Sequence, residues 1–295
     1  MGDIYVTQGV ALTDLYRPAD MAMGDLDGDG VPEMVVANFG IETGDVSVYR
    51  RSGDGVRFET EPVATLHHGP GAVKVALHDF DGDGRLDVAA LISDARENFS
   101  IFLNRGGLQF ERRVIIEKHP AFGYVGFELV DFDRDGRVDI VTVNGDNGDS
   151  DPYNTLKRDH GIRIYLNQGG LRFEERWFYP MYGAYGVEVR DFDLDGDFDL
   201  AANAFHPDFD AEHPEGFVYL EQTAPFTFAA RTHPATFEGR WLTIDAGDLD
   251  GDGDDDIVLG AGYVPAGLSI SNPELLERMV ESGPALLFLK NRAIP

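Results

Sequence analysis

One acidic segment occurs five times along this 295-residue chain, and that recurrence constrains the fold more than any other feature. The copies run Gly24–Glu33, His78–Asp87, Val130–Asp139, Arg190–Asp199 and Gly247–Asp256. Their first aspartates, Asp25, Asp79, Asp131, Asp191 and Asp248, are 54, 52, 60 and 57 residues apart. A period in the fifties exceeds one helix pair and suits a four-stranded antiparallel blade with its loops.

The residues around each copy read as strands. A short run such as Lys74–Leu77 precedes the acidic loop, and an apolar run such as Asp87–Ile92 follows it. Both are four to six residues long and bounded by turn residues, as buried strands are. A third strand follows in every copy: Val46–Tyr49, Ser100–Leu103, Ile162–Leu166, Phe217–Leu220 and Ala285–Leu289. A Gly-rich or Pro-containing turn then leads to a fourth, such as Phe110–Ile116 or Phe173–Trp177. With the four strands named A to D, the repeats start near residues 20, 73, 126, 186 and 242, and the fifth ends after strand C, at Asn291. The chain begins with a lone D-like strand over residues 3–11. The expectation is an all-β single domain, 1–295, whose five blades form a ring closed when that strand completes the last blade. Such closure removes open sheet edges.

Each acidic loop follows the pattern Asp-x-Asp-x-Asp-Gly-x-x-Asp/Glu. Carboxylates at positions 1, 3 and 5 converge when the chain curls, and Gly30, Gly84, Gly136, Gly196 and Gly253 at position 6 permit the sharp turn. A carbonyl at position 7 and an acid at position 9 complete an oxygen shell. The expected ligands are Asp25, Asp27, Asp29, Val31 and Glu33; Asp79, Asp81, Asp83, Arg85 and Asp87; Asp131, Asp133, Asp135, Arg137 and Asp139; Asp191, Asp193, Asp195, Asp197 and Asp199; and Asp248, Asp250, Asp252, Asp254 and Asp256. Hard oxygen donors in a flexible loop select Ca²⁺, up to five ions here, over zinc or copper. An EF-hand is excluded, because position 12 holds Val36, Ala90, Thr142, Ala202 or Leu259 instead of Glu, and the flanks read as strands. An acidic β-turn rich in Asp and Gly is the alternative for one such loop, but five loops at one place in five repeats point to metal. Arg134 and Arg137 lie within the third loop, whereas Asp254 and Asp255 add acids to the fifth, so the fifth is expected to bind calcium more tightly than the third.

These loops and their strands resemble the FG-GAP/VCBS repeat family, the calcium-loop blades of integrin α-chain propellers and of many bacterial secreted proteins. The segments His119–Gly123, His160–Arg163 and Leu220–Pro225 look like the bacterial branch, as does Asp151-Pro-Tyr153. The resemblance implies a β-propeller with Ca²⁺ in the A–B hairpins, and it implies no activity. Such propellers commonly have seven blades, while this chain encodes five.

Composition narrows the partners. The chain carries 53 acidic and 24 basic residues, a formal charge of −29, with only four lysines. A nucleic-acid partner and an anionic membrane surface both require a basic face, so neither is expected. There are no cysteines, which excludes disulfides, thiolate metal sites and a cysteine nucleophile. No run of 18 apolar residues occurs, so no membrane insertion by a helix is expected. The first residues lack the features of a secretory signal. Either the protein is cytosolic or a signal has been removed; a calcium module belongs outside the cell, in a periplasm or on a cell surface.

Strand polarity puts the A–B and C–D turns at one end of each blade and the B–C and D–A loops at the other. The B–C connections are long in the last three repeats: 145–161, 205–216 and 260–283. The last contains an expected helix capped by Asn272, with Pro273 in its first turn, Gly283 at its end and an apolar face of Leu275, Leu276, Met279 and Val280. Long loops on a rigid scaffold are where binding usually resides. The candidate ligand-binding residues there are His67, His68, Asp149, Asp151, Tyr153, His160, Tyr182, His206 and Trp241, with Lys157, Arg158 and Asp208 beside them; surface loops also carry histidines by default, and aromatics at strand starts also pack between blades. Catalytic motifs such as Gly-x-Ser-x-Gly, His-Glu-x-x-His or a phosphate loop are absent, which weakens an enzymatic reading without removing it. Three classes remain: a calcium-binding, secreted ligand-binding or cell-adhesion module with a protein or glycan partner; a glycan-binding or polysaccharide-processing domain; and a structural propeller that self-associates or supports a larger protein.

Overall fold

The computed structural model describes residues 10–40, 42–53, 57–93, 97–146, 151, 155–263 and 267–293. The described chain is built from five antiparallel sheets that follow one another in sequence. The first holds β1 (Pro18–Gly24), β2 (Glu33–Asn38), β3 (Asp45–Tyr49) and β4 (Ala64–His68). The second holds β5 (Ala72–His78), β6 (Asp87–Ile92), β7 (Glu97–Asn104) and β8 (Phe110–Lys118). The third holds β9 (Tyr124–Val130), β10 (Asp139–Asn144), β11 (Gly161–Asn167) and β12 (Phe173–Pro180). The fourth holds β13 (Ala184–Arg190), β14 (Asp199–Ala204), β15 (Phe217–Ala224) and β16 (Thr227–Arg231). The fifth, three-stranded among the described residues, holds β17 (Trp241–Gly247), β18 (Asp256–Ala261) and β19 (Leu286–Leu289). Each expected A, B and C run is a strand, and each sheet pairs its strands in chain order.

Burial explains the composition of each strand. All six residues of β2, β6, β10 and β14 are buried, so these second strands need apolar side chains on both faces. The fourth strands are half-exposed and carry charge, as in Phe110–Lys118. Every first strand bulges at its second residue: Ala19, Val73, Val125, Tyr185 and Leu242 are skipped in the pairing with the second strand. A bulge bends and twists a strand, and here it sits where the D–A connection turns into the sheet.

The chain divides into two compact units, Met1–Pro120 and Ala121–Pro295. In the first, Val35, Val48, Val75, Val88, Ala90 and Phe102 form a core between sheets one and two. In the second, one core joins sheets three and four around Ile162, Ile164, Leu200 and Leu220. Another joins sheets four and five around Phe217, Trp241 and Leu259.

The expected closing strand lies, for residues 3–9, outside the described residues, and its end goes elsewhere. Ala11 accepts a hydrogen bond from the Phe58 backbone N–H at 2.9 Å, and Leu12 and Leu15 pack against Met34, Val36, Tyr49 and Phe58 of the first sheet. The described residues that follow the expected strand, 11–15, therefore complete the first sheet's core. The expected helix is present as α2 (Pro273–Ser282), after a single turn, α1 (Leu268–Ser271). The Asn272 side chain caps it by accepting from Leu275 N–H at 3.1 Å. Its expected apolar face is only partly used: Met279 is buried, while Val280 stays 60% exposed.

Candidate functional site

The sharp curl of each acidic loop requires two left-handed residues. The glycine at position 6 has φ between +85° and +101° in all five loops. Position 4 is left-handed as well: Gly28, Gly82 and Gly251 adopt it freely, but Arg134 (φ 59°) and Leu194 (φ 62°) do so against their side chains. This turn aims backbone N–H groups at the position-1 carboxylate. Gly28 and Gly30 donate to Asp25 at 2.7 and 2.9 Å, and Gly82 and Gly84 donate to Asp79 at 2.8 Å each.

Three carboxylates converge in every loop, with ligand atoms within 4.8 Å of one another. They are Asp25, Asp27 and Asp29; Asp79, Asp81 and Asp87; Asp131, Asp133 and Asp139; Asp191, Asp193 and Asp195; and Asp248, Asp250 and Asp252. The residues at position 7 (Val31, Arg85, Arg137, Asp197 and Asp254) donate their N–H to the position-5 carboxylate at 2.7–3.3 Å. Asp131 Oδ1 and Asp191 Oδ1 are buried and accept no hydrogen bond among the described residues. A buried carboxylate oxygen without a donor is costly, and an oxygen-only donor set of this kind suits a hard cation.

Position 9 does something the pattern alone does not reveal. Glu33, Asp87, Asp139, Asp199 and Asp256 are all buried. Asp87 accepts from Phe80 N–H at 2.9 Å with one oxygen and from Asn104 N–H at 2.7 Å with the other. Asp139 does the same with Phe132 and Asn167, Asp199 with Phe192 and Gln222, and Asp256 with Leu249 and Asn291. One carboxylate thus clips the loop to the end of the third strand. Burial pushes the Asp87 and Asp139 carboxyls up, and Asp199 up to about 6. The clip continues through the Asn104 side chain, whose amide donates to the Leu86 and Leu26 carbonyls and whose oxygen caps Gly106. Asn167 and Asn291 repeat this within their own sheets, and Asn291 also reaches the Phe192 carbonyl of the fourth sheet. The repeat of Asn at the strand-C end was the available sequence signal for it.

Basic side chains already sit on four of the loops. Arg50 pairs with Asp27 at 2.6 Å and Arg105 with Asp81 at 2.8 Å. Arg85 and Arg137 fold back onto Asp83 and Asp135, and Lys290 bridges Asp250 and Asp252. Among the described residues the fourth loop has no such partner. The Asp193 carboxyl there is pushed up by burial and then by Asp195, Glu221 and Asp191.

At the other end of the sheets the candidate ligand-binding residues divide by burial. His160, His206 and Trp241 are buried, which corrects their expected place on a contact surface. Trp241 Nε1 donates to the Thr236 carbonyl at 2.8 Å and the ring packs into the core of sheets four and five. His160 Nδ1 accepts from Gly183 N–H at 3.4 Å, and Gly183 in turn accepts at its carbonyl from Phe205 N–H at 2.9 Å. Gly183 has φ +63°, and a Cβ there would lie 2.2 Å from the His206 carbonyl oxygen, so only glycine fits. Arg240, fully buried, lies over the Phe205 ring at 3.8 Å, donates to the Phe205 carbonyl and approaches His206 Nδ1 at 3.1 Å. These groups pin the long loops to one another. Tyr182 is 39% exposed and His68 is exposed, whereas His67 is half-buried and its pKa is lowered by burial and then by Arg112. Asp151 is half-buried, held by Thr155 and by Lys157 at 3.3 Å. Asp149 and Tyr153 lie outside the described residues.

Comparisons with known proteins agree with the repeat. A family model described as FG-GAP-like repeat matches residues 25–90 and 79–142. No curated protein matches the chain. A solved structure, the crystal structure of BBS1N in complex with ARL6DN, soaked with mercury, is similar at a TM-score of 0.44 and 10% identity, over 82% of this chain and 61% of that one.

Two measurements follow from this geometry. Asp87→Ala strands two buried N–H groups, at about 1–3 kcal/mol each, so it lowers stability in EDTA as well as in calcium. Asp81→Ala removes only an exposed ion pair worth about 1 kcal/mol or less, so in EDTA it costs less than Asp87→Ala; denaturant titrations of both variants in both buffers check this. Burial, followed by Lys157 for His160 and Arg240 for His206, lowers these pKa values to about 4 and about 3. The folded state then binds fewer protons than the unfolded chain, whose histidines titrate near 6.5. Stability from the two rings is therefore full above about pH 6.5 and is lost as pH falls toward 4 and 3. The melting temperature of the His160→Gln/His206→Gln variant should change less over that window than the parent's, and ring proton shifts titrating near 6.5 in the folded parent would contradict the assignment.

Proposed function

The chain carries FG-GAP-like repeats over residues 25–142, and on that premise we propose that it is a calcium-stabilised β-propeller module presenting its B–C and D–A loops to a protein or glycan ligand outside the cell. The observation that carries the calcium reading is the convergence of three carboxylates in each of five loops. Like charges 4 Å apart cost about 1 kcal/mol per pair in water and more where water is excluded, and a divalent ion reverses the sign. The orphaned oxygens of Asp131 and Asp191 support it. Five ions would bring the formal charge from −29 to −19. Carboxylates at positions 1, 3 and 5 would hold the ion in the first, fourth and fifth loops, and at positions 1, 3 and 9 in the second and third, with the position-7 carbonyl beside them; position 9 also holds the loop. The ion's chemistry is structural here: it neutralises the hairpin.

The ligand reading is supported by the way the two ends of each sheet differ. The acidic hairpins are short and internally bonded. The opposite loops are long and are held by buried polar groups in the second unit, which leaves Tyr182 and Asp151 on a stiff frame. An adhesion module is the reading favoured over a polysaccharide-processing one. A structural role in self-association has its own support: Leu249, Leu286 and Phe288 are exposed around a cavity of about 380 Å³ on the three-stranded fifth sheet. A glycan array, a reducing-sugar assay and native mass in calcium separate the three.

Calcium at 100-fold excess over its dissociation constant should add about 2.7 kcal/mol per filled site. A melting temperature identical in EDTA and in millimolar calcium would rule the calcium reading out. The loops should differ, because the fourth has five motif acids and no basic partner among the described residues, while the third has Arg137 on Asp135. Calorimetry should lose the tightest site with Asp191→Ala, a weaker one with Asp248→Ala and the weakest with Asp131→Ala.

A further inference from the structure

Helix α2 and the connections 205–216 and 232–240 enclose a cavity of about 400 Å³ whose lining contains no residue of the acidic loops. Phe209, Phe237, Leu275 and Met279 supply an apolar wall. The Phe237 ring is stacked on His213, with centroids 5.1 Å apart and planes 22° from parallel, which fixes its orientation. Two charged residues complete the wall, Glu238 from the connection and Arg278 from α2. Both are exposed, and among the described residues neither side chain makes an ion pair or hydrogen bond. The cavity thus presents an unpaired anion and an unpaired cation over an apolar floor.

That charge pattern selects the ligand. The outer side of α2 carries Glu274, Glu277 and Glu281, and the chain is strongly acidic, so a simple anion is repelled from the mouth. A simple cation would meet Arg278 as a like charge. A molecule bearing both charges on an apolar body satisfies both side chains, since a guanidinium recognises a carboxylate with paired N–H donors. We infer that this cavity binds a small zwitterion with an apolar body, a hydrophobic amino acid or dipeptide. Its carboxylate lies on Arg278, its ammonium on Glu238 and its side chain against Phe209, Phe237 and Leu275. The inference rests on the reading of the long-loop end as the ligand-bearing end, and it is independent of calcium.

The test is calorimetry at pH 7 in calcium with L-leucine, L-phenylalanine and the dipeptide Leu-Leu, beside phenylalanine amide and N-acetylphenylalanine. The free zwitterions should bind saturably, and each blocked derivative at least tenfold more weakly. Arg278→Gln should weaken phenylalanine at least tenfold yet leave the amide unchanged, since the amide has no carboxylate to lose. Glu238→Gln should weaken phenylalanine and leave the N-acetyl derivative unchanged. Both positions are exposed, so melting temperatures should match the parent's and show that any loss is not unfolding. Absence of saturable heat with every probe, blocked derivatives that bind as tightly as phenylalanine, or variants that bind it normally would each overturn the assignment. A protein or glycan captured through the loop end in both Arg278→Gln and Glu238→Gln would preserve the loop-end reading while adding nothing to this cavity, so the two failures are distinguishable.

Discussion

A buried carboxylate that accepts backbone N–H groups from two separate segments is the interaction on which the acidic end of sheets two to five depends. Asp87 holds the start of its own loop through Phe80 and the end of the third strand through Asn104. Its removal from water raises its pKa, and the two N–H donors are what make the burial tolerable. In the first sheet Glu33 keeps the loop bond to Leu26, and the Arg50 guanidinium lies 3.8 Å from its carboxylate.

Around that fixed point the rest of the loop is free to serve charge. Positions 1, 3 and 5 are mostly exposed or half-exposed, and they converge in the first, fourth and fifth loops, while in the second and third the buried position-9 carboxylate joins positions 1 and 3. Arginine and lysine side chains offset part of the repulsion in four loops. The fourth loop has five motif acids and, among the described residues, no such relief. Its left-handed Leu194 adds a conformational cost that glycine would remove.

The opposite end solves a different problem. Long connections must bury backbone polar groups without strand partners. Here Asn144 and Asn203, at the ends of second strands, donate to the Phe122, Asp159 and Trp241 carbonyls. Arg163 lies over Phe122 and Phe178, and Arg240 over Phe205. Buried cations on aromatic faces and neutral buried histidines give that end its stiffness. The same burial withdraws His160, His206 and Trp241 from any direct role at the surface.

Repetition made the sheets legible from sequence. Five copies of one pattern fix strand order, the left-handed glycine at position 6 and the convergence of acids, because each follows from local spacing and a loop that can curl only one way. The helix of 273–282 was legible for the same reason, through Asn272 and Pro273. Burial was not legible: a histidine in a polar loop reads as surface until the neighbouring loops are known to cover it, and the Gly183 contact with His206 joins residues 23 apart. The double role of Asp87 and its equivalents also needed the tertiary structure, since their partners lie 17 to 35 residues downstream, on the third strand or just past its end. Local spacing determines which atoms can converge within one hairpin; desolvation and long-range hydrogen bonds, which depend on what packs above, decide which of those atoms are left to bind anything.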